Sequence, residues 1–136
     1  MSNIDFSGLT LSELCVDFTA RLYFTAEHFV RIEGSFTLDA QGKSLYLTPD
    51  TDRPEAFETM YSLVGKRVST SRISDNGSLS LEFEDGSQIV VEPDKEYEAW
   101  TATGPDGLVI VCMAGGELAI WSGIAPIADG EFPAGG

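Results

Sequence analysis

Hydrophobic side chains alternate with polar ones along most of this chain, which is the pattern of half-buried β-strands. The alternation runs over residues 15–24 and resumes over residues 30–38. We expect these two stretches to form one long hairpin with a bulge or bend at Gly34. A turn at residues 41–42 then predicts a short third strand over residues 44–48.

The period changes to a helical one only between residues 54 and 64. Apolar side chains there follow the i, i+3, i+4, i+7 spacing of one helix face, at Phe57, Met60, Tyr61 and Val64. Asp52 is expected to cap the N-terminus, Pro54 suits the first turn, and Gly65 is a typical residue just past a helix end. This segment is the single helix that we predict.

Only strands are predicted after the helix, and the loop at residues 84–86 fixes one register. A three-residue loop with a left-handed Gly86 pairs core side chains with each other, Leu81 with Ile89 and Leu79 with Val91. A two-residue loop would instead place polar groups opposite core groups. The hairpin signal at residues 75–77 leaves its register open, because Val68 and Ile73 have opposite parity.

These elements predict an α+β domain. Residues 108–113 are apolar at every position, so we expect a central strand there that packs against the helix. The whole is expected to be a curved antiparallel meander sheet of about eight or nine strands, with one helix at about residues 54–64 on one face. The domain is placed at residues 1–125 and a flexible tail at residues 126–136.

Several of these strands resemble a family of small bacterial proteins classed as a domain of unknown function. The resemblance rests on IEGSFTL at residues 32–38 and on YEAWTATGPDGLVIVCMAGGELAIW at residues 97–121. Where the family pattern tends to have proline after IEG, this chain has Ser35. The resemblance covers about residues 14–121 and implies no activity.

Charge is distributed unevenly along the chain. The net charge is −14, and residues 74–136 hold twelve acidic side chains against one basic one, Lys95. Such a chain repels nucleic acid and anionic membrane surfaces and attracts basic partners. No continuous apolar run that would make a signal peptide or a transmembrane helix is apparent, so a cytoplasmic location is expected.

No arrangement of residues points to catalysis, a cofactor or a metal. His28 is the one histidine, and Cys15 and Cys112 are better explained as small core side chains than as nucleophiles or zinc ligands. Residues 50–61 fail the calcium-loop pattern, because Glu55 stands where glycine is required. We therefore expect a protein that is not an enzyme.

The leading hypothesis is a protein-binding module, similar to an immunity or inhibitor protein, that docks a basic partner. Its predicted partner-binding residues are Glu82, Glu84, Glu92, Asp94, Glu96, Glu98 and Trp100. Tyr97 lies among them, but it and Trp100 have opposite strand parity, so only one should face outward. The same acids would also serve simply to keep the sheet soluble.

Other hypotheses stay open at this point. A small-molecule site would need an apolar pocket in the curved sheet, lined by Phe18, Phe24, Phe36, Trp100 and Trp121. An enzyme that uses carboxylates alone would need a buried acid with a perturbed pKa in a cleft. A homodimer formed through an exposed strand edge is compatible with each of these functions.

Overall fold

The structure is a computed structural model that describes residues 4–121, and these residues form two antiparallel sheets. The strands are β1 Leu11–Val16, β2 Ala20–Phe24, β3 His28–Ile32, β4 Phe36–Ala40, β5 Lys43–Leu47, β6 Val68–Ile73, β7 Leu79–Phe83, β8 Gln88–Val91, β9 Trp100–Thr103, β10 Val109–Cys112 and β11 Leu118–Trp121. A 3-10 helix at Pro54–Phe57 leads into helix α1 at Glu58–Tyr61. Two further 3-10 turns occupy Pro105–Gly107 and Ala114–Gly116. The tail predicted at residues 126–136 lies outside the described residues.

The described strands divide into a six-stranded and a five-stranded sheet, so the prediction of one curved sheet of eight or nine strands is wrong. The first sheet has the order β1-β2-β3-β9-β10-β11 and the second β5-β4-β8-β7-β6. The chain crosses from the first sheet to the second at residues 33–35 and returns at residues 92–99. The alternation continues through Gly34, so periodicity alone does not reveal that the strands on either side of it belong to different sheets.

The core lies between the inward faces of the two sheets. Alternate residues of β2, β4 and β7 are buried, as the period of two predicts. The largest fully buried side chains are Trp100, Phe6, Phe36, Phe57, Phe83, Leu11, Leu22, Ile32, Leu38, Met60, Leu63 and Leu79. Burial of this set is the main force that holds the two sheets together.

The first predicted strand is in fact a hairpin. Residues 17–19 turn the chain between β1 and β2, and Val16 pairs with Ala20. A three-residue turn preserves the parity of the residues on either side of it, so the alternation runs through the turn without a break. The predicted single strand over residues 15–24 is therefore wrong, although β2 and β3 do form the expected hairpin.

The predicted register of the loop at residues 84–86 is confirmed. Leu81 pairs with Ile89 and Leu79 with Val91, and Gly86 has a left-handed φ of 92°. The open register of the preceding hairpin is settled by an irregularity between Val68 and Thr70 in the pairing of β6 with β7. That extra residue reconciles the opposite parities of the two ends of β6.

The helical segment is shorter than predicted and packs elsewhere. Asp52 does not cap it; its carboxylate instead accepts the backbone N–H of Thr48 at 2.8 Å. The segment docks on β1, where the Tyr61 hydroxyl accepts the N–H of Val16 at 3.2 Å and the N–H of Gly65 donates to Leu11 at 2.7 Å. The expected packing of β10 against the helix is therefore wrong. Within residues 4–121, no helix has the length and apolar character needed to cross a membrane.

Candidate acidic interface

Three loops meet at one end of the molecule, which we call the acidic end: residues 74–78, 92–99 and 113–117. The side chain of Trp100 holds the first loop, because its indole Nε1–H donates to the carbonyl of Gly77 at 2.9 Å. Trp100 is fully buried, and its partners across the sheet, Ile32 and Cys112, are buried as well. The prediction that Trp100 contacts a partner is wrong, because this position of β9 faces inward between the two sheets.

Two glycine turns contact each other at this end. Gly77 has a φ of +98°, and a Cβ added to it would lie 2.6 Å from the carbonyl oxygen of Gly116. The N–H of Gly115 donates to the carbonyl of Asp94 at 2.7 Å, which ties the third loop to the other two. The three loops therefore form one braced unit.

The acidic connector over residues 92–98 has a defined shape. One carboxylate oxygen of Asp94 accepts the backbone N–H groups of Glu96 at 2.8 Å and Tyr97 at 3.1 Å. This local turn presents the side chains that follow it to solvent, and Tyr97 is 69% exposed. Tyr97, and not Trp100, is the outward aromatic residue of the pair.

The acidic end concentrates carboxylates that form no ion pair within the part of the chain that the structure describes. Its exposed acidic residues are Asp75, Glu92, Asp94, Glu96, Glu98 and Glu117. None of them takes part in the ion pairs formed within residues 4–121. Lys95 is the one cation that the sequence supplies from residue 74 onward. The three loops therefore carry six acidic side chains against one basic one, which makes their net charge negative.

Glu82 and Glu84 do not belong to this surface, so the single acidic face predicted from the sequence is wrong. Leu79 pairs with Val91 near the acidic end, whereas Glu82 pairs with Gln88, roughly 10 Å farther along the strands. Glu84 lies at the opposite end of β7, with its carboxylate 3.8 Å from the guanidinium of Arg67. Beside it, Asp85 lies 3.4 Å from the Lys66 ammonium.

Sequence reasoning missed Asp75 and Glu117 as members of the acidic end. Both lie beside glycine turns, at residues 76–77 and 115–116, which the sequence did mark as turns. The position of a turn in the sequence does not indicate which ends of strands lie next to each other in the folded structure. The contact between Gly77 and Gly116 supplies that information, and only the folded structure contains it.

Two further titratable groups, His28 and Asp5, have structural partners. The Nδ1 atom of His28 lies 2.8 Å from the carbonyl of Ala26, and its ring packs edge-on against Phe6. Hydrogen bonds from Ser7, then from Ser71, hold the pKa of Asp5 below its ordinary value, and nearby His28 adds to the effect. Among the residues described, no group of three or more His, Cys, Asp or Glu side chains is arranged to hold a metal ion.

The two cysteines are free and far apart. Cys15 is on β1 and Cys112 on β10, separated by three intervening strands, about 19 Å by strand spacing. Cys112 is buried as predicted, and burial raises the pKa of its thiol. Cys15 is only half-buried, on the outer face of the first sheet.

The aromatic side chains proposed to line a pocket do not share one. Phe24, Phe36 and Trp100 fill the core between the sheets. Phe18 is 78% exposed in the turn between β1 and β2, and Trp121 is exposed at the end of β11. The predicted lining is therefore wrong, because three of these five side chains are buried in the core and the other two are exposed.

Comparison with known proteins places the chain in a family. The model of DUF6188, a family of unknown function, matches residues 2–122. The chain belongs to this family. No curated protein and no solved structure matches the chain. The matched region contains the whole acidic end, from Asp75 to Glu117, together with the Trp100 brace.

Proposed function

We propose that the acidic end is a docking surface for a basic protein and that the chain acts by binding, as an immunity or inhibitor protein does, without catalysis. The observation that carries the proposal is the set of six exposed carboxylates that form no ion pair within residues 4–121, together with the exposed Tyr97, which lies in the same connector as four of them. Charges of one sign on one surface steer an oppositely charged partner during encounter.

The bracing of the loops supports a binding role. An interface loses less free energy on association when its loops are already ordered. The hydrogen bonds of Trp100, Gly115 and Asp94 order the three loops before any partner arrives. Tyr97 then supplies apolar contact area, and an aromatic residue within a polar rim is a common hot spot.

The test is capture of partners from the native cells on three forms of the immobilised protein. These are the wild type, the double variant Glu96→Gln/Glu98→Gln, and the matched control Glu84→Gln at the opposite end. We expect a basic protein that binds the wild type and the control at about 0.05 M salt and elutes by about 0.5 M. The double variant should retain much less of it.

A second variant distinguishes the contribution of the Tyr97 ring to the bound complex from the contribution of the carboxylates to the rate of association. Tyr97→Ala should weaken binding of that partner by about tenfold or more, mainly through faster dissociation. The double charge variant should instead slow association and flatten the salt dependence. A partner that binds all forms equally, or whose binding ignores salt, would overturn the proposal and leave the carboxylates as a solubility device.

A further inference from the structure

A cavity of about 160 Å³ opens beside the acidic end, on the outer face of the second sheet. It lies where β4 begins and β8 ends, beside the segments in which the chain crosses between the sheets. Its lining residues are Gly34, Ser35, Phe36, Thr37, Tyr46, Val90, Glu92, Pro93, Asp94 and Ala99. Two of the six unpaired carboxylates of the acidic end therefore line this cavity.

The strand register explains how these side chains meet. Thr37 pairs with Tyr46 on one side and with Val90 on the other, so these three residues form one cross-strand row on the outer face. Glu92 follows Val90 by two residues, so the two side chains are expected on the same face of the sheet. Asp94 and Pro93 complete the wall next to Glu92, and Gly34 with Ser35 bounds the remaining side.

The cavity combines an aromatic wall, apolar walls and negative charge. Tyr46 is 73% exposed, so much of its ring has no protein neighbour. Val90 and Pro93 provide aliphatic surface. Glu92 takes part in no ion pair within the described part of the chain, and the turn bonds to Glu96 and Tyr97 use only Oδ1 of Asp94.

We propose that this cavity receives the side chain of one arginine of the basic partner, an inference that rests on the proposed function. A guanidinium group is planar, so it stacks on an aromatic face and also donates in pairs to a carboxylate. Tyr46 offers the face, and Glu92 and Asp94 offer the acceptors. The aliphatic stem of the arginine lies along Val90 and Pro93.

The chemistry favours arginine over other occupants. An anionic group would meet the carboxylates of Glu92 and Asp94, and a neutral apolar side chain would leave them unpaired. A lysine ammonium can donate to both carboxylates but lacks the planar fork that donates in pairs to one carboxylate, and it would stack less well on Tyr46, since its charge is a point and not a plane. The proposal therefore predicts a rank order of arginine, then lysine, then uncharged analogues.

The experiment uses the capped amino acid N-acetyl-arginine amide as the probe and the full-length protein as the receptor. Backbone amide shifts in NMR spectra should move at Thr37, Tyr46, Val90 and Glu92, with a dissociation constant on the order of 1 mM. Tyr46→Ala and Glu92→Gln should each weaken binding at least about threefold. Tyr46→Phe should retain it, because the ring remains.

Controls in the protein and in the probe make the result decisive. Asp39→Asn lies on the same sheet face but lines a different groove, between the turns at residues 40–44 and 85–87, and should leave binding unchanged. The capped citrulline analogue has the shape of arginine without its charge and should not bind. Equal binding of citrulline, or shifts unaffected by Tyr46→Ala, would overturn the cavity proposal.

The two proposals fail in different ways. If Glu96→Gln/Glu98→Gln weakens capture of a basic partner but Tyr46→Ala and Glu92→Gln do not, the docking surface stands and the arginine cavity is overturned. If the capped arginine binds as predicted but no salt-sensitive partner is captured, the cavity's preference for a guanidinium stands and the docking function is overturned.

Discussion

Two acidic segments that are close in the sequence behave differently in the fold. Residues 82–85 and residues 92–98 are both rich in Glu and Asp. The first segment lies where Lys66 and Arg67 approach, and its acids Glu84 and Asp85 form ion pairs. The second lies at the acidic end, where no cation pairs with it in the described structure. The same residue types are neutralised in one place and left as a charged surface in the other.

The two ends also differ in how their turns are held. The turn at residues 84–86 is closed by the N–H of Phe83, which donates to Ser87 at 2.8 Å, and its distant contacts are solvent-accessible ones with Lys66 and Arg67. The turn at residues 74–78 depends instead on buried distant residues, through the Trp100 indole and the contact with Gly116. A set of surface charges can act as a binding site only where the structure beneath it holds the charged loops in place.

The largest effect is expected from Trp100, which supports the acidic end from beneath. Trp100→Ala should lower the free energy of unfolding by about 3–5 kcal/mol, because a fully buried indole leaves a cavity. Trp100→Phe should cost less, about 1–3 kcal/mol, because it keeps one aromatic ring but loses the bond to Gly77 and the volume of the second ring. Urea unfolding measures both values. Equal stability of the wild type and Trp100→Phe would show that the bond to Gly77 does not brace the loop.

A pair of glycine substitutions compares the turns at the two ends directly. Gly77 and Gly86 both have left-handed φ angles, so alanine is strained at either position, by about 1 kcal/mol. A Cβ on Gly86 would meet nothing within 4 Å, whereas one on Gly77 would lie 2.6 Å from Gly116. We therefore expect Gly77→Ala to destabilise by about 1–3 kcal/mol more than Gly86→Ala in thermal or urea unfolding. Equal losses of stability for the two variants would mean that the turns at Gly77 and Gly116 are not in close contact.

Local chemistry explains which parts of the fold were predictable from the sequence. The register of β7 with β8 followed from the parity of Leu79 and Leu81 and from a glycine suited to a left-handed turn. Local parity cannot show a change of sheet, however, because the alternation continues through Gly34 although the chain bends there and leaves the first sheet. One sheet was therefore expected where two exist.

The site was predictable in part for the same reason. Four acids of the connector, Glu92, Asp94, Glu96 and Glu98, were recognised from composition and lie at the acidic end. The sequence places Trp100 among charged residues and predicts it at the partner-binding surface, yet Ile32 and Cys112 beside it belong to the core. The contacts that add Asp75 and Glu117 join turns far apart in the sequence.

Asp85 offers a smaller, pH-dependent test at the opposite end. The N–H of Ser87, more than the neighbouring Lys66, holds the pKa of Asp85 below its ordinary value of 3.8. Since the folded-state pKa is depressed, the ionised carboxylate stabilises the fold at neutral pH, and this contribution is lost as the pH falls below about 4. Asp85→Ala should cost about 0.5–1 kcal/mol at pH 7, because the group is exposed and screened. The difference from the wild type should shrink toward pH 2, and a constant difference would contradict the assignment.

The smallest expected effect has opposite signs at the two ends. Glu84→Gln removes a charge that faces Arg67 and should lower the free energy of unfolding by about 0.2–0.5 kcal/mol. Glu98→Gln removes one of the unpaired charges of the acidic end, so relief of repulsion should raise the free energy of unfolding by a similar amount. Both changes should fade as salt is raised to about 1 M, where the screening length falls to roughly 3 Å. Urea unfolding at low and high salt measures the pair. If the two variants shifted the free energy of unfolding in the same direction, the two ends would share one electrostatic environment. That result would contradict the description of the acidic end as a distinct charged surface.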